Sequence, residues 1–241
     1  MEIIKQLVLN LAVLLIFIFF LQFRINKAGD LKTKRRAIFL YFVIAVFLCM
    51  LLSIKSGDNI RFDLRQVPII VGTLYLGSWA GVPFFLITII ARAIMGVDTG
   101  LWVCTFVYGI QTIALNYLHS PFLHFKTFGR VAAAVLVSFF SSLILLIFLI
   151  ILGKPVSSFE LFTGFLIIPS LGAGMMSYTI EKWLEIRESQ ERLINSEKLE
   201  SVSHLSSALA HEIRNPMTVA KGFMQLISSD DLNKEKRRNM R

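Results

Sequence analysis

The chain has 241 residues, 55% of them hydrophobic, with a mean hydropathy of +0.67. That is more apolar surface than a soluble domain of this size buries, so a fold in water alone is excluded. Its 25 Lys and Arg outnumber 16 Asp and Glu, but residues 1–180 hold 14 basic and six acidic side chains while 181–241 hold 11 and ten. An excess confined to the loops of an apolar region is an orientation signal and not a nucleic-acid groove, and no nucleic-acid partner is expected.

Apolar runs at about 4–23, 37–54, 67–80, 82–97, 101–118, 131–152 and 159–180 predict membrane helices in an all-α, polytopic bundle. The first run is about twenty residues long and has no small-residue cleavage site, so it reads as a retained anchor. The pair 67–80 and 82–97 is short and joined at Gly81. It makes either two tight crossings or one re-entrant hairpin, for a total of seven or five. Arg24, Lys27, Lys32, Lys34, Arg35 and Arg36 stand against Asp30 in the first loop, which keeps that loop inside. The N-terminus is then outside the cell membrane and residue 181 enters the cytoplasm, with either count. The outer loops, chiefly 55–65 and 153–158, are too short for a folded ligand domain. Any signal is therefore read within or at the membrane.

Arg92 lies inside an apolar run, where a charge costs about 2.5–3.5 kcal/mol on insertion scales. It needs a partner, water or an anion, which makes it the best sensing candidate, against the alternative that it snorkels to a headgroup. Cys49 and Cys104 sit in apolar runs without C-x-x-C spacing and read as small hydrophobic residues. His119 and His124 flank Pro121 in a predicted inner loop. No third ligand accompanies them, so no metal site is expected.

Asp63, Leu64, Arg65, Pro68, Leu74, Tyr75, Gly77, Gly81, Arg92 and Gly96 form a series that resembles the five-transmembrane sensor region of the LytS type, over roughly 37–180. Some relatives of that region answer small carboxylates. The resemblance therefore implies a small anionic signal held by charge-assisted hydrogen bonds from Arg65 and Arg92. For Arg65 the preferred reading is an ordinary interfacial anchor.

After Ile180, helical periodicity runs for thirty-five residues without Gly or Pro. Leu199, Val202, Leu205, Leu209 and Ile213 make a seam that predicts a coiled-coil helix and a homodimer. At about 100° per residue, His211 points about 200° from Leu209 and is expected to be exposed. The hexapeptide His211, Glu212, Ile213, Arg214, Asn215, Pro216 closely resembles the phosphoacceptor box of histidine kinases. That resemblance implies His211 as phosphoacceptor, Glu212 as the base on the other ring nitrogen, and Asn215 as the residue that positions water for dephosphorylating a partner aspartate. Pro216 removes a backbone donor and predicts a bend in the helix. Ser228, Ser229, Asp230 and Asp231 predict a polar break before a second helix of a partial phosphoacceptor hairpin.

The order of parts resembles membrane sensor histidine kinases of the sporulation kinase B type. It implies a sensor domain at 1–180, a signalling helix at 181–203 and a partial dimerisation and phosphoacceptor domain at 204–241. ATP and Mg²⁺ would serve the full-length kinase and a response-regulator receiver domain would take the phosphate. No glycine-rich nucleotide lid or asparagine-bearing ATP box lies in these residues, so this stretch alone is expected to be inactive and to bind neither. The alternatives are a small-molecule transporter or channel subunit with a coiled-coil tail, and a purely structural anchor in membrane lipid.

Overall fold

The computed structural model describes the backbone of residues 2–27, 31–56, 60–153 and 159–238, and side chains within 4–20, 35–53, 61–153, 164–206, 209, 213–222 and 224–225. Its helices are α1 (Glu2–Lys27), α2 (Leu31–Leu51), α3 (Gln66–Leu76), α4 (Ser78–Ile94), α5 (Thr99–His124), α6 (Thr127–Ile151) and α7 (Phe159–Arg238). Each predicted apolar run becomes the body of one helix, and the architecture is all-α apart from one small hairpin. That hairpin pairs β1 (Ile54–Ser56) with β2 (Ile60–Phe62), Ile54 opposite Phe62, where the sequence reading expects a loop. By internal contacts the chain divides into two units, Met1–Trp183 and Leu184–Arg241.

Within the first unit α3 is the central helix. Ten of its 11 residues are buried, and α2, α4, α5 and α6 all pack on it. At 1.5 Å per residue it is about 16 Å long, roughly half the thickness of a bilayer core. Its ends are therefore satisfied inside the protein, since lipid supplies no donors or acceptors. At the N-terminal end Asp63 accepts from the Arg65 amide at 3.0 Å, which places a carboxylate at the positive end of the helix dipole. At the other end Leu76 O accepts from Trp79 Nε1 at 2.6 Å and Arg35 Nη2 at 3.3 Å, and His119 Nδ1 lies 2.9 Å from Leu74 O. The Arg35 guanidinium also lies over the Trp79 ring, 4.7 Å from its centroid.

The short pair breaks at Gly77 and not at Gly81. Gly77 has φ 95° and ψ 179°, a conformation that only glycine adopts without strain, and a Cβ there would sit 2.9 Å from His119 Nε2. Gly81 lies inside α4 and lets that helix close on α3, because a Cβ would meet Thr73 Cγ2 at 2.8 Å. Phe84 reaches the Gly72 site in the same way, so α4 returns antiparallel to α3. The start of α3 and the end of α4 thus lie at one end of the bundle.

The outer surface is apolar: Phe19, Leu51, Ile94, Trp102, Tyr117, Phe128 and Ile151 are all well exposed. Among the described residues α5 and α6 are long and apolar enough to cross a membrane by themselves. The core is also rich in aromatics, with Phe39 stacked on Phe84 and Phe17 on Tyr41.

The second unit departs from expectation in one place: the backbone stays helical to Arg238 where Ser228–Asp231 predict a polar break. Serine and aspartate lower helix propensity by well under about 1 kcal/mol each, and without Gly or Pro nothing local forces a break.

Replacing Gly77 with valine combines a forbidden backbone angle with a clash on His119. Thermal unfolding in detergent is expected to show a loss of about 2–4 kcal/mol for Gly77→Val, against a much smaller loss for Gly109→Ala, whose added Cβ would meet the Phe85 ring only at an ordinary 3.9 Å.

Candidate functional site: a buried arginine cavity

At the end of the bundle where α3 begins and α4 ends, a cavity of about 40 Å³ is lined by Arg61, Asp63, Arg65, Arg92, Cys104 and Tyr108, among others. Arg65 is not an interfacial anchor: it is 2% exposed, and its Nε lies 2.7 Å from Asp63 Oδ1, with Nη2 bonded to Oδ2 of the same carboxylate. Arg92, 1% exposed, does not snorkel outward. Its Nη2 lies 2.5 and 2.8 Å from the two Asp98 oxygens, and its Nη1 donates to Gly96 O at 3.1 Å. Asp98 also caps α5, accepting from the Leu101 amide at 3.1 Å. Arg61 closes the same rim by donating from Nη2 to Met95 O at 3.3 Å.

Two sensing candidates far apart in the sequence are thus brought to one cavity. Three guanidinium groups face two carboxylates there, a balance of one positive charge. Arg65 Nη1 is buried and has no hydrogen-bond partner among the described residues, so the cavity wall presents a charged donor to whatever enters. An unsatisfied charged donor in a low-dielectric wall is costly unless something accepts from it. The cavity suits a compact anion.

Below the cavity, polar side chains cross the α3–α5–α6 contact. Gln66 Nε2 donates to Ser142 Oγ at 2.6 Å and Ser141 Oγ to Gln111 Oε1 at 2.7 Å. Sequence reasoning passed over these residues, although uncharged polar residues in an apolar run are a standing signal of interhelical contacts.

Cys49 and Cys104 are free thiols, the first buried and the second half-buried. His119 and His124 fall in the last turns of α5 and not in a loop, and His119 is engaged with α3. Among the described residues no three of His, Cys, Asp or Glu approach closely enough to share a metal ion. In the second unit the side chains of His211 and Glu212 lie outside the described residues. Their backbone is helical, and Asn215 and Pro216 beside them are exposed.

The model of the family described as 5TMR of 5TMR-LYT matches residues 9–182. The chain belongs to that family. The 5TMR match covers all but the start of the apolar bundle and includes the arginine cavity, and it makes the chain a membrane protein. Sensor protein DegM of Bacillus sp. (strain B21-2) is 30% identical over 204 residues, 79% of this chain and 52% of that protein. Sporulation kinase B of Bacillus subtilis (strain 168) is 27% identical over 243 residues, 96% of this chain and 56% of that one. Sporulation kinase E of the same organism is 54% identical over 43 residues, covering 18% of this chain and 6% of its own. The chain spans about half the length of the first two. No solved structure matches it.

Deleting one partner of a buried ion pair strands the other, so Asp63→Ala is expected to destabilise the protein by about 3–5 kcal/mol. The pair Asp63→Ala and Arg65→Met should recover most of that loss in a double-mutant cycle. Burial pushes the Asp98 carboxyl up, but hydrogen bonding and charge from Arg92, with the Leu101 amide and Arg61, outweigh it and hold the group below its ordinary value. A depressed carboxyl contributes stability in full above its unfolded value near about 4, and loses it as pH falls through the lower folded value. A thermal-stability profile against pH should therefore drop below about pH 4 in the native protein and show less of that drop in Asp98→Asn.

Proposed function

We propose that the chain is the membrane-sensing and phosphoacceptor portion of a two-component sensor histidine kinase. The observation that carries this reading is the placement of the His211–Pro216 hexapeptide on α7, the helix that also forms part of the 5TMR bundle. The kinase and sensor names of the relatives support it. On this reading the N-terminus is outside the cell and α7 leads into the cytoplasm. The membrane would be crossed five times, by α1, α2, α5, α6 and α7, with α3 and α4 as a re-entrant hairpin.

Leu199, Val202, Leu205, Leu209 and Ile213 are each more than half exposed, an apolar seam left open among the described residues. A second copy of the chain is the simplest cover, since heptad-like apolar spacing on a charged helix associates with its like. Within such a dimer His211 would attack the γ-phosphorus of ATP through a neutral ring nitrogen, the P–O bond to ADP breaking as the P–N bond forms. Glu212 would hold the other ring N–H and share the positive charge that develops on the imidazole. Asn215, one turn on, would orient water toward the phosphoaspartate of a receiver domain, and Pro216 would ease bending next to the reactive residue.

On this reading His211 would take phosphate from the ATP-binding domain of the kinase, where ATP and Mg²⁺ would bind. In the sensor a small anion would enter the arginine cavity and accept from Arg65 Nη1.

Membranes holding the whole kinase and labelled ATP should yield an acid-labile, base-stable phosphoprotein that His211→Gln abolishes; label persisting in that variant would defeat the reading. For the cavity, acetate titrated against the purified chain should raise its thermal midpoint in a saturable way. Arg65→Gln should weaken that response by about tenfold or more, and an equal response in both would remove Arg65 as the anion site.

A further inference from the structure

At the end of the bundle opposite the arginine cavity, three helices meet on one buried carboxylate and a fourth holds one of its donors. Glu181 of α7 is 5% exposed although Lys182, Glu185 and Glu188, which follow it, are exposed. Its Oε1 accepts from Tyr75 Oη of α3 at 2.8 Å and from Arg130 Nη1 of α6 at 3.2 Å. Tyr75 Oη also lies 2.8 Å from Ser177 Oγ, one turn back on α7. Arg130 Nη2 donates to Leu123 O of α5 at 2.9 Å, and its guanidinium lies over the Phe122 ring, 5.9 Å from the centroid. Phe122 in turn stands edge-on to Tyr75 at 5.2 Å.

These residues do more than fill space. Glu181 is where α7 leaves the membrane unit, since that unit ends at Trp183. A carboxylate shared by a phenol and a guanidinium fixes the rotation of α7 as well as its distance, because both donors must reach the same oxygen. Tyr75 stands near the C-terminal end of α3, and Arg65 precedes the helix at its other end, about 15 Å away along the axis. α3 also touches α7 near the cavity end, where Val67 Cγ2 lies 3.5 Å from the site of a Cβ on Gly172. A short helix buried on nearly every face moves as a unit, so displacement at Arg65 must appear at Tyr75.

We propose that Tyr75, Arg130 and Glu181 are positioning residues that clasp α7, and that α3 opens or closes this clasp according to what occupies the arginine cavity. The second half rests on the sensor reading given above; the first does not. Hydrogen bonds to an ionised group shift a two-state balance by about tenfold or more when lost, which is the scale a switch between helix rotations needs.

The test uses the full chain in lipid nanodiscs with Cys49→Ala and Cys104→Ala, and a nitroxide on Leu184→Cys read by its collision rates with oxygen and with a nickel chelate. Glu181→Gln and Tyr75→Phe should each change the ratio of the two rates by about twofold or more, and the double variant should change it no further than either alone. The exchange Arg130→Glu with Glu181→Arg should bring the ratio back toward the native value. A lowered thermal midpoint with an unchanged ratio in Glu181→Gln would make the cluster merely structural and overturn the clasp. Acetate should move the label in the native background and not in Glu181→Gln. An equal movement in both would overturn the clasp as the carrier of the signal. No movement in the native background, with Glu181→Gln and Tyr75→Phe still changing the ratio, would fail the cavity reading while the clasp stands.

Discussion

A guanidinium has five N–H donors and cannot discharge in a protein, so one that is buried in a membrane bundle dictates its surroundings. Two such groups, Arg65 and Arg92, organise one end of this protein. Each takes a carboxylate from a segment next to its own helix, Asp63 before α3 and Asp98 before α5. Those carboxylates also serve the helix starts, accepting from the amides of Arg65 and Leu101. Asp98 therefore neutralises a charge, caps α5 and fixes a turn, while Asp63 neutralises a charge and holds the chain just ahead of α3.

The same economy explains α3. A helix of half the bilayer thickness survives in the middle of the bundle because its ends are bonded to protein at Asp63, Trp79, Arg35 and His119. Its length sets the separation between the arginine cavity and the Glu181 cluster. Both clusters are polar, buried and anchored on the one helix that contacts most of the others. The bundle is thus built around a stiff element with a charged contact at each end, and that arrangement suits transmission better than it suits a passive anchor.

Much of this was legible in the residues. Long apolar runs give the helices because hydrocarbon permits little else, and Arg92 stands out because nothing else charged lies in its run. Its partner Asp98 is only six residues on, past the end of α4. Arg65 was harder to read. Its partner is two residues away, a spacing that faces apart on a helix and meets here only because Asp63 precedes α3. The break at Gly77 was hidden because Gly81 sits in the same apolar stretch; backbone angle and the approach of His119 decide between them. Glu181 reads in sequence as the first residue of a solvated tail, and it is buried because Arg130 and Tyr75 reach it across 51 and 106 residues of chain. No local pattern announces such a contact. The tail's helix runs on past Asp231 for a local reason: serine and aspartate cost little in a helix, and no Gly or Pro lies there to interrupt it.

The central claim is that both arginines are paired within the bundle at a shared cavity. Solid-state NMR of the protein in lipid bilayers, with ¹⁵N in arginine and ¹³C in aspartate, reports it directly. The account predicts through-space transfer from the Arg65 guanidinium to the Asp63 carboxyl and from Arg92 to Asp98, with little contact to lipid phosphate for either. Arginine signals at residue 65 or 92 that couple to lipid phosphorus, and not to aspartate, would contradict it.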